Sequence, residues 1–362
     1  MKNGLFPRAI GLLTGGGDAP GLNAVIRAVV KSASNAGCDC IGFENSFDGL
    51  IDRRRSRVLR PADVRGTIRL GGTILGTSNR GNPLTNPVGS GGGMNYADQC
   101  LRTFRALGLD GLVVVGGDGT LAIAHELHAR GMPIVCVPKT IDNDIVGTNS
   151  TFGFDTAVSF ATDAIDRLHT TAEAHSRVMV VEVMGRYAGW IALYAGVAGG
   201  ADVILMPEIP FEMSSVADAI AERERLDARF SIVVVAEGAV RVGGEVSVVE
   251  AGSSHKPERL GGVGTWLAAE LEALTGKESR IVVLGHLQRG GAPTSFDRVL
   301  ATRFGGKAFE LVQRQEFGVL VANRPPNLVA VPLEEVVGKI KQVPLDLDLV
   351  QTARSLGIGF GD

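Results

Sequence analysis

The sequence predicts an α/β fold built on mainly parallel sheet, from three observations. Short runs rich in Val and Ile recur, helix-like stretches separate them, and glycine-rich turns follow several of them directly. The runs do not alternate with polar residues, which marks strands buried on both faces. In order they are residues 9–13, 111–115, 133–137, 177–183, 202–206, 231–236 and 280–284. The intervening helices follow from apolar spacing. Residues 22–36 repeat Val25, Ala28 and Val29, and residues 96–107 put Cys100, Leu101, Phe104 and Leu107 on one stripe. Residues 120–129 and 154–168 read likewise. In such folds ligands bind beyond the carboxyl ends of the strands, so chemistry is expected in the turns there.

Composition bounds the rest. With 45% hydrophobic and 21% charged residues in a chain of 362, a large core forms, as two domains or one large one. The 36 basic and 39 acidic residues leave a formal charge of −3 and no polybasic tail, so nucleic acid is not an expected partner. The opening MKNGLFPRAIGLL lacks the apolar core of a signal peptide. The most apolar run elsewhere, residues 188–201, falls short of the ~20 residues of a membrane span, so no membrane is expected. Cys38, Cys40, Cys100 and Cys136 do not make a disulfide framework, and Cys38 and Cys40 lack a second Cys/His pair at metal-ligand spacing. Reduced thiols and a cytoplasmic location are expected. Glycine is abundant, 49 residues against the roughly 7% of an average protein, while 15 prolines exclude a collagen-like chain. The excess implies tight turns or close approaches of backbone to something else.

Five motifs locate those approaches. TGGGDAPG, residues 14–21, lies between a strand and a helix. Its glycines leave backbone N–H groups open beside a helix N-terminus, as a phosphate cradle does, or they make a plain tight turn. GGDGT, residues 116–120, sets Asp118 among glycines. A carboxylate beside phosphate needs a divalent cation between them, so Asp118 is a candidate Mg²⁺ ligand, or else it caps the next helix. In PKTIDND, residues 138–144, Asp142 and Asp144 flank Asn143. A loop Asp at a strand end can take a proton from an attacking hydroxyl, although Asx-turn chemistry also explains this pattern. MGRYAG, residues 184–189, brings Arg186 to a strand exit. RIVVLGHLQRGG, residues 280–291, offers Arg280, His286 and Arg289 at a spacing suited to gripping an anion. Glu237 closes the strand at 231–236 and could accept sugar hydroxyls. The cluster DRRRSR, residues 52–57, is either a solvated loop or an anion-binding effector loop, and the GSGGG run at 89–93 reads as a surface loop. Together, the cradles, acids and arginines are the parts of a metal-assisted phosphoryl transfer to an anionic acceptor.

TGGGDAPGLNAVIR, GGTILGTSNRGNP, VVVGGDGT, PKTIDNDIVGT, VVEVMGRYAGW and VLGHLQRGG, in this order over roughly residues 8–312, resemble the 6-phosphofructokinase family. The resemblance implies conversion of fructose 6-phosphate to fructose 1,6-bisphosphate, with Mg²⁺ and either ATP or pyrophosphate as phosphoryl donor. It implies Asp142 as the base, with Thr140 and Arg186 beside it in catalysis, Arg186 neutralising the transferring phosphoryl, and Asp118 as the metal carboxylate. Gly16, Gly17, Arg80, Gly81, Gly117, Gly119 and Thr120 match donor-binding positions. Thr140, Ile141, Asp142, Met184, Gly185, Arg186, Glu237, His286, Leu287, Gln288 and Arg289 match the sugar-phosphate site, to which Arg177 and Arg280 of a neighbouring subunit would be lent. A homo-oligomer, dimer or tetramer, follows. The implied fold is two three-layer α/β domains with the active site in the cleft between them. Residues 1–153 with 288–338 would bind the donor, and residues 154–287 with 339–362 the sugar phosphate.

The donor turns on two positions. Pyrophosphate enzymes of this family usually carry Asp where this chain has Gly119 and Lys where it has Lys139, whereas the ATP enzymes usually have Gly at both. A carboxylate at 119 would crowd and repel an ATP α-phosphate, so Gly119 favours ATP, and Lys139 suits either donor. A pyrophosphate-dependent enzyme is the alternative. Arg27 and Lys31 match a bacterial effector site, but the position often held by Arg is His169. Two further readings are another kinase sharing GGDGT and a catalytically silent nucleotide-binding regulatory subunit. PKTIDND, MGRY and GHLQRGG speak for a sugar-phosphate acceptor against the first, and the presence of Asp118, Asp142 and Arg186 speaks against the second.

Overall fold

The structure is a computed structural model and describes residues 7–78, 82–84, 96–250 and 258–362. It divides into two units, each interrupted in sequence. The first holds Met1–Thr140, Ile145–Gly153 and Arg289–Lys339; the second holds Ile141–Asp144, Phe154–Gln288 and Ile340–Asp362.

In chain order the strands of the first unit are β1 (Ala9–Thr14), β2 (Asp39–Phe43), β3 (Ser56–Leu59), β4 (Gly111–Gly116) and β5 (Ile134–Pro138). The second unit contributes β6 (Val178–Val183), β7 (Val203–Leu205), β8 (Ser231–Ala236), the short pair β9 (Val248–Glu250) and β10 (Arg259–Leu260), and β11 (Ser279–Val283). The chain then returns to the first unit with β12 (Val319–Arg324) and β13 (Asn327–Pro332).

The first unit's sheet has the order β13-β12-β5-β4-β1-β2-β3. Its interior pairs are parallel and its two outer pairs, β12–β13 and β2–β3, are antiparallel. β4 and β5 are buried at every position, as their unbroken apolar runs require. One face carries the helices Leu22–Asn35 and Ser295–Gln313 around Val25, Val29, Phe304 and Phe309; the other is covered around Phe43, Phe47, Phe104 and Leu127. The second unit's sheet is wholly parallel, β11-β6-β8-β7. Helices Phe154–His175 and Trp190–Ala198 pack on one another and on β8, and helices Met213–Arg225 and Val263–Thr275 join the core formed by Val180, Phe211, Val233 and Leu267. Glu182, buried on β6, accepts the N–H groups of Gly262 and Gly264 at 3.3 and 2.8 Å and anchors the start of the helix Val263–Thr275. Each unit is therefore three-layered and mainly parallel, as expected.

Several local readings are corrected. The helix expected to end at 168 continues to His175, because no Gly or Pro stops it after the apolar stripe thins. The basic cluster at 52–57 is not a loop: it forms a short 3-10 turn, Arg53–Arg55, and opens the edge strand β3. Its arginines are paired locally, Arg54 with Asp52 at 2.9 Å and Arg57 with Glu44 at 3.1 Å. Strand β2 and the hairpin β12–β13 went unread, the first because it is not an unbroken buried run, the second because it lies in a segment without motifs. The GSGGG run at 89–93 lies outside the described residues. All four cysteines are buried, and burial pushes the Cys38 thiol up to about 11 and Cys100 up to about 12. No cluster of three or more His, Cys, Asp or Glu able to hold a metal occurs among the described residues.

Candidate active site

In the first unit β1, β4 and β5 are neighbours, so TGGGDAPG, GGDGT and PKTIDND emerge side by side. The register pairs Thr14 with Val115 and Gly116 with Pro138. Thr120, buried, sits where side chains of the two glycine turns would be. A Cβ on Gly15 would come within 2.7 Å of its methyl, and one on Gly116 would overlap it. These two glycines are thus required by Thr120. The expectation that the TGGG amides stay open is overturned for two of them. Gly15 N–H donates to Val115 O at 2.9 Å and Gly16 N–H to Ser78 O at 3.0 Å. The amides better placed to receive an anion belong to GGDGT. Gly117 is the N-cap of the helix Asp118–Ala129 and no side chain caps it. Asp118 does not cap the helix either; it is exposed in the first turn, and among the described residues no ion pair holds it.

Gly119 is unlike its neighbours. Among the described residues a Cβ there would meet nothing within 4 Å, and its backbone is ordinary helix. Lys139 is buried at 3% exposure, and its ammonium donates to Gly17 O, which plants a positive charge inside the first turn. Thr140 is buried, and its carbonyl accepts Thr151 Oγ1 at 2.8 Å. Arg80 and Gly81 lie outside the described residues.

In the second unit β11, β6 and β8 are neighbours, which brings together the exits at 284–288, 184–189 and 237–238. Arg186 adopts a left-handed backbone, φ 51°, and its N–H donates to Glu237 Oε1 at 3.2 Å. Gly238 makes this contact feasible, since any Cβ there would overlap the Arg186 carbonyl. That role was missed, although a glycine directly after a strand-closing acid was a readable signal. Met184 and Gly185 are buried at the same exit. His286 and Leu287 are exposed on the short turn Gly285–Arg289, and Gln288 is buried. Ile141 and Asp142 are buried, Asp142 at 3% exposure, and the next residue, Asn143, is also left-handed at φ 53°. Non-glycine residues in this region are held only where their surroundings over-determine them, often at functional sites.

Arg280 and His286 lie at opposite ends of β11. Arg280 opposes Met179 near the amino end of β6, whereas His286 follows the carboxyl end of β11. Arg289 belongs to the first unit, where its guanidinium donates to Asp18 O at 3.1 Å over the TGGG turn. Arg280 instead keeps company with Arg177. Arg177 Nε donates to Glu278 Oε2 at 2.5 Å, and Arg280 donates to the other oxygen of the same carboxylate. Both lie at the opposite edge of the sheet from Arg186. Arg27, Lys31 and Arg65 line a cavity of about 230 Å³ with Pro61, Val64 and Gly66. His169 Nε2 lies 2.7 Å from Gly199 O, and its ring is edge-on to Phe230.

Parallel α/β units that carry glycine turns, carboxylates and an arginine at their strand exits hold the parts of a phosphoryl-transfer site. Residues 9–312 match the phosphofructokinase family, and the chain belongs to it. It is 54% identical over 358 residues, 98% of each chain, to the ATP-dependent 6-phosphofructokinase of Chloroflexus aurantiacus. It is 51% identical over 340 residues, 93% of this chain and 96% of the other, to the pyrophosphate–fructose 6-phosphate 1-phosphotransferase of Amycolatopsis mediterranei. Among solved structures, phosphofructokinase from Saccharomyces cerevisiae superposes with a TM-score of 0.78 at 31% identity over 91% of this chain. This chain spans 45% of the length of that yeast chain.

Proposed function

We propose that this protein is an ATP-dependent 6-phosphofructokinase, which transfers the γ-phosphoryl of ATP to the 1-hydroxyl of fructose 6-phosphate to give fructose 1,6-bisphosphate and ADP in glycolysis. The observation that carries the donor is the open space at Gly119. The described residues leave room for a side chain there, so its absence is read as answering to the ligand. A nucleotide donor needs that room at its α-phosphate, and pyrophosphate does not. Likeness to enzymes named as ATP-dependent supports the same reading, and a pyrophosphate-dependent enzyme is the alternative.

The first unit binds the donor. Gly16, Gly17, Arg80, Gly81 and the amides of Gly117 to Thr120 surround its phosphates, and Lys139 lends positive charge. Asp118 fits Mg²⁺: a single exposed carboxylate beside open amides suits an ion held mainly by phosphate oxygens and water. When bound at Asp118, Mg²⁺ would neutralise charge on the donor's phosphates. The second unit binds the acceptor. Thr140, Ile141, Met184, Gly185, Glu237, His286, Leu287, Gln288 and Arg289 are the residues assigned to the sugar phosphate. Asp142 takes the proton of the 1-hydroxyl, and Arg186 stabilises the charge on the transferring phosphoryl.

Arg177 and Arg280 serve another copy of the chain. They sit at the amino edge of the sheet, on the order of 20 Å along β6 from the exit that holds Arg186. The protein is then a homo-oligomer, dimer or tetramer, whose sites are shared. Buried reduced thiols fit a cytoplasmic enzyme, and no helix among the described residues is long and apolar enough to cross a membrane.

The test is an assay of purified protein with fructose 6-phosphate and Mg²⁺, offering ATP or pyrophosphate. Turnover with ATP is expected; turnover with pyrophosphate alone would move the assignment to the alternative.

A further inference from the structure

The segment after residue 339 lies beyond the family match, yet it reaches the loop that carries Asp142. Lys341 engages that loop through both its main chain and its side chain. Its N–H donates to Asp144 O at 2.7 Å, and its ammonium donates to Asn143 Oδ1 at 2.9 Å. It also meets the helix that follows MGRYAG. The ammonium lies 5.0 Å from the centre of the Trp190 ring, and Trp190 Nε1 donates to Lys341 O at 2.8 Å. Two residues further on, Val343 N–H donates to Glu208 Oε1 at 2.9 Å, and the same carboxylate accepts Gly189 N–H at 3.0 Å. The segment thus ties two of the acceptor-side motifs together from outside both.

Placing an ammonium here is costly. Burial pushes Lys341 down from 10.5 to about 8, against the opposing pull of the Asp144 carboxylate. Methionine or leucine would fill the space beside Trp190 without that cost. What only a donor supplies is the hydrogen bond to Asn143, a buried residue in left-handed backbone directly after Asp142. If Asn143 relaxed to an ordinary conformation, the chain direction at Asp142 would swing with it.

We infer that Lys341 is a positioning residue: it locks Asn143 in its left-handed conformation and so fixes the direction in which Asp142 presents its carboxylate to the acceptor hydroxyl. The inference rests on the proposed role of Asp142 as the base.

The experiment compares wild type with Lys341→Met, Lys341→Arg, Asn143→Gly, Asp142→Ser and the double variant Lys341→Met/Asp142→Ser. It reads kcat, both KM values and thermal melting. Lys341→Met is expected to lower kcat roughly 10- to 100-fold, the scale of a misplaced reacting group, with the KM for ATP unmoved. Lys341→Arg recovers most of the loss. Asn143→Gly keeps the backbone region but lacks the acceptor, and it reproduces the loss even if Lys341→Met folds poorly. In the Asp142→Ser background, Lys341→Met adds less than about twofold, because its effect travels through the missing carboxylate. Unchanged kcat in Lys341→Met, or losses that multiply fully in the double variant, would overturn the positioning role while leaving the base in place. Near-normal kcat in Asp142→Ser would overturn the base assignment itself, and the positioning role with it.

Discussion

At the exits of β1 and β4, Gly15 and Gly116 give up their side-chain space to Thr120, and Gly119 gives up its own to nothing among the described residues. At the exits of β6 and β8, the reverse holds: Arg186 and Glu237 project charged side chains and are joined through left-handed backbone and a close-fitting Gly238. The first unit prepares its turns by removing side chains, and the second by straining backbone to aim them. The contrast fits the two proposed ligands. A polyphosphate is met by amide dipoles and needs room, whereas a sugar hydroxyl must be met by one carboxylate at one angle.

If that division is right, the largest loss comes from the aimed side. Asp142→Ser should lower kcat by about 10²–10⁴ without unfolding the protein, read by steady-state kinetics beside a melting curve. Near-normal turnover would remove the base from the second unit. Arg177→Ala or Arg280→Ala should raise the KM for fructose 6-phosphate about 10- to 100-fold, the weight of charged hydrogen bonds. Co-assembly with Asp142→Ser chains sharpens this. If the arginines act on a neighbouring copy, mixed oligomers recover activity that neither parent shows at low sugar phosphate. Failure to recover in verified mixed oligomers would place both arginines in their own chain's site.

On the emptied side, Gly119→Asp should leave the fold intact, since the added side chain meets nothing among the described residues, yet cut kcat/KM for ATP by at least about tenfold. An unchanged value would break the link between that space and the nucleotide. The smallest effect is in stability. Between about pH 8 and 10.5 the unfolded chain holds the Lys341 proton and the native chain does not, so wild type gains stability with rising pH relative to Lys341→Met. The gain should approach ~1.4 kcal/mol per pH unit within this window, measured by denaturant unfolding at pH 8 and 9. A constant difference between the two proteins would show that the ammonium is not depressed by burial.

Much of this was legible in sequence because the signals are local. A buried parallel strand must be an unbroken apolar run, and a turn that meets phosphate must shed side chains, so β4, β5, β6, β8 and the GGDGT turn could be read without a structure. Other features depend on partners distant in the chain. β2 opens on the charged, exposed Asp39 and is not an unbroken buried run, and β3 has only four residues. The hairpin β12–β13 completes the first sheet from beyond the motifs, pairing Val319 with Val135. Near the end of the chain, Gly359 bridges Val203 and shields the edge strand β7.

The sequence alone determined the class of fold, the family, and the residue types at each strand exit, because each depends on period and local chemistry. Tertiary structure decided which exits stand side by side, that Gly15 and Gly116 yield to Thr120 while Gly119 does not, and that Arg280 parts from His286. It also brought Lys341 against Asn143. Strand order and long-range contacts are settled by packing between distant segments, and no window of sequence contains both partners.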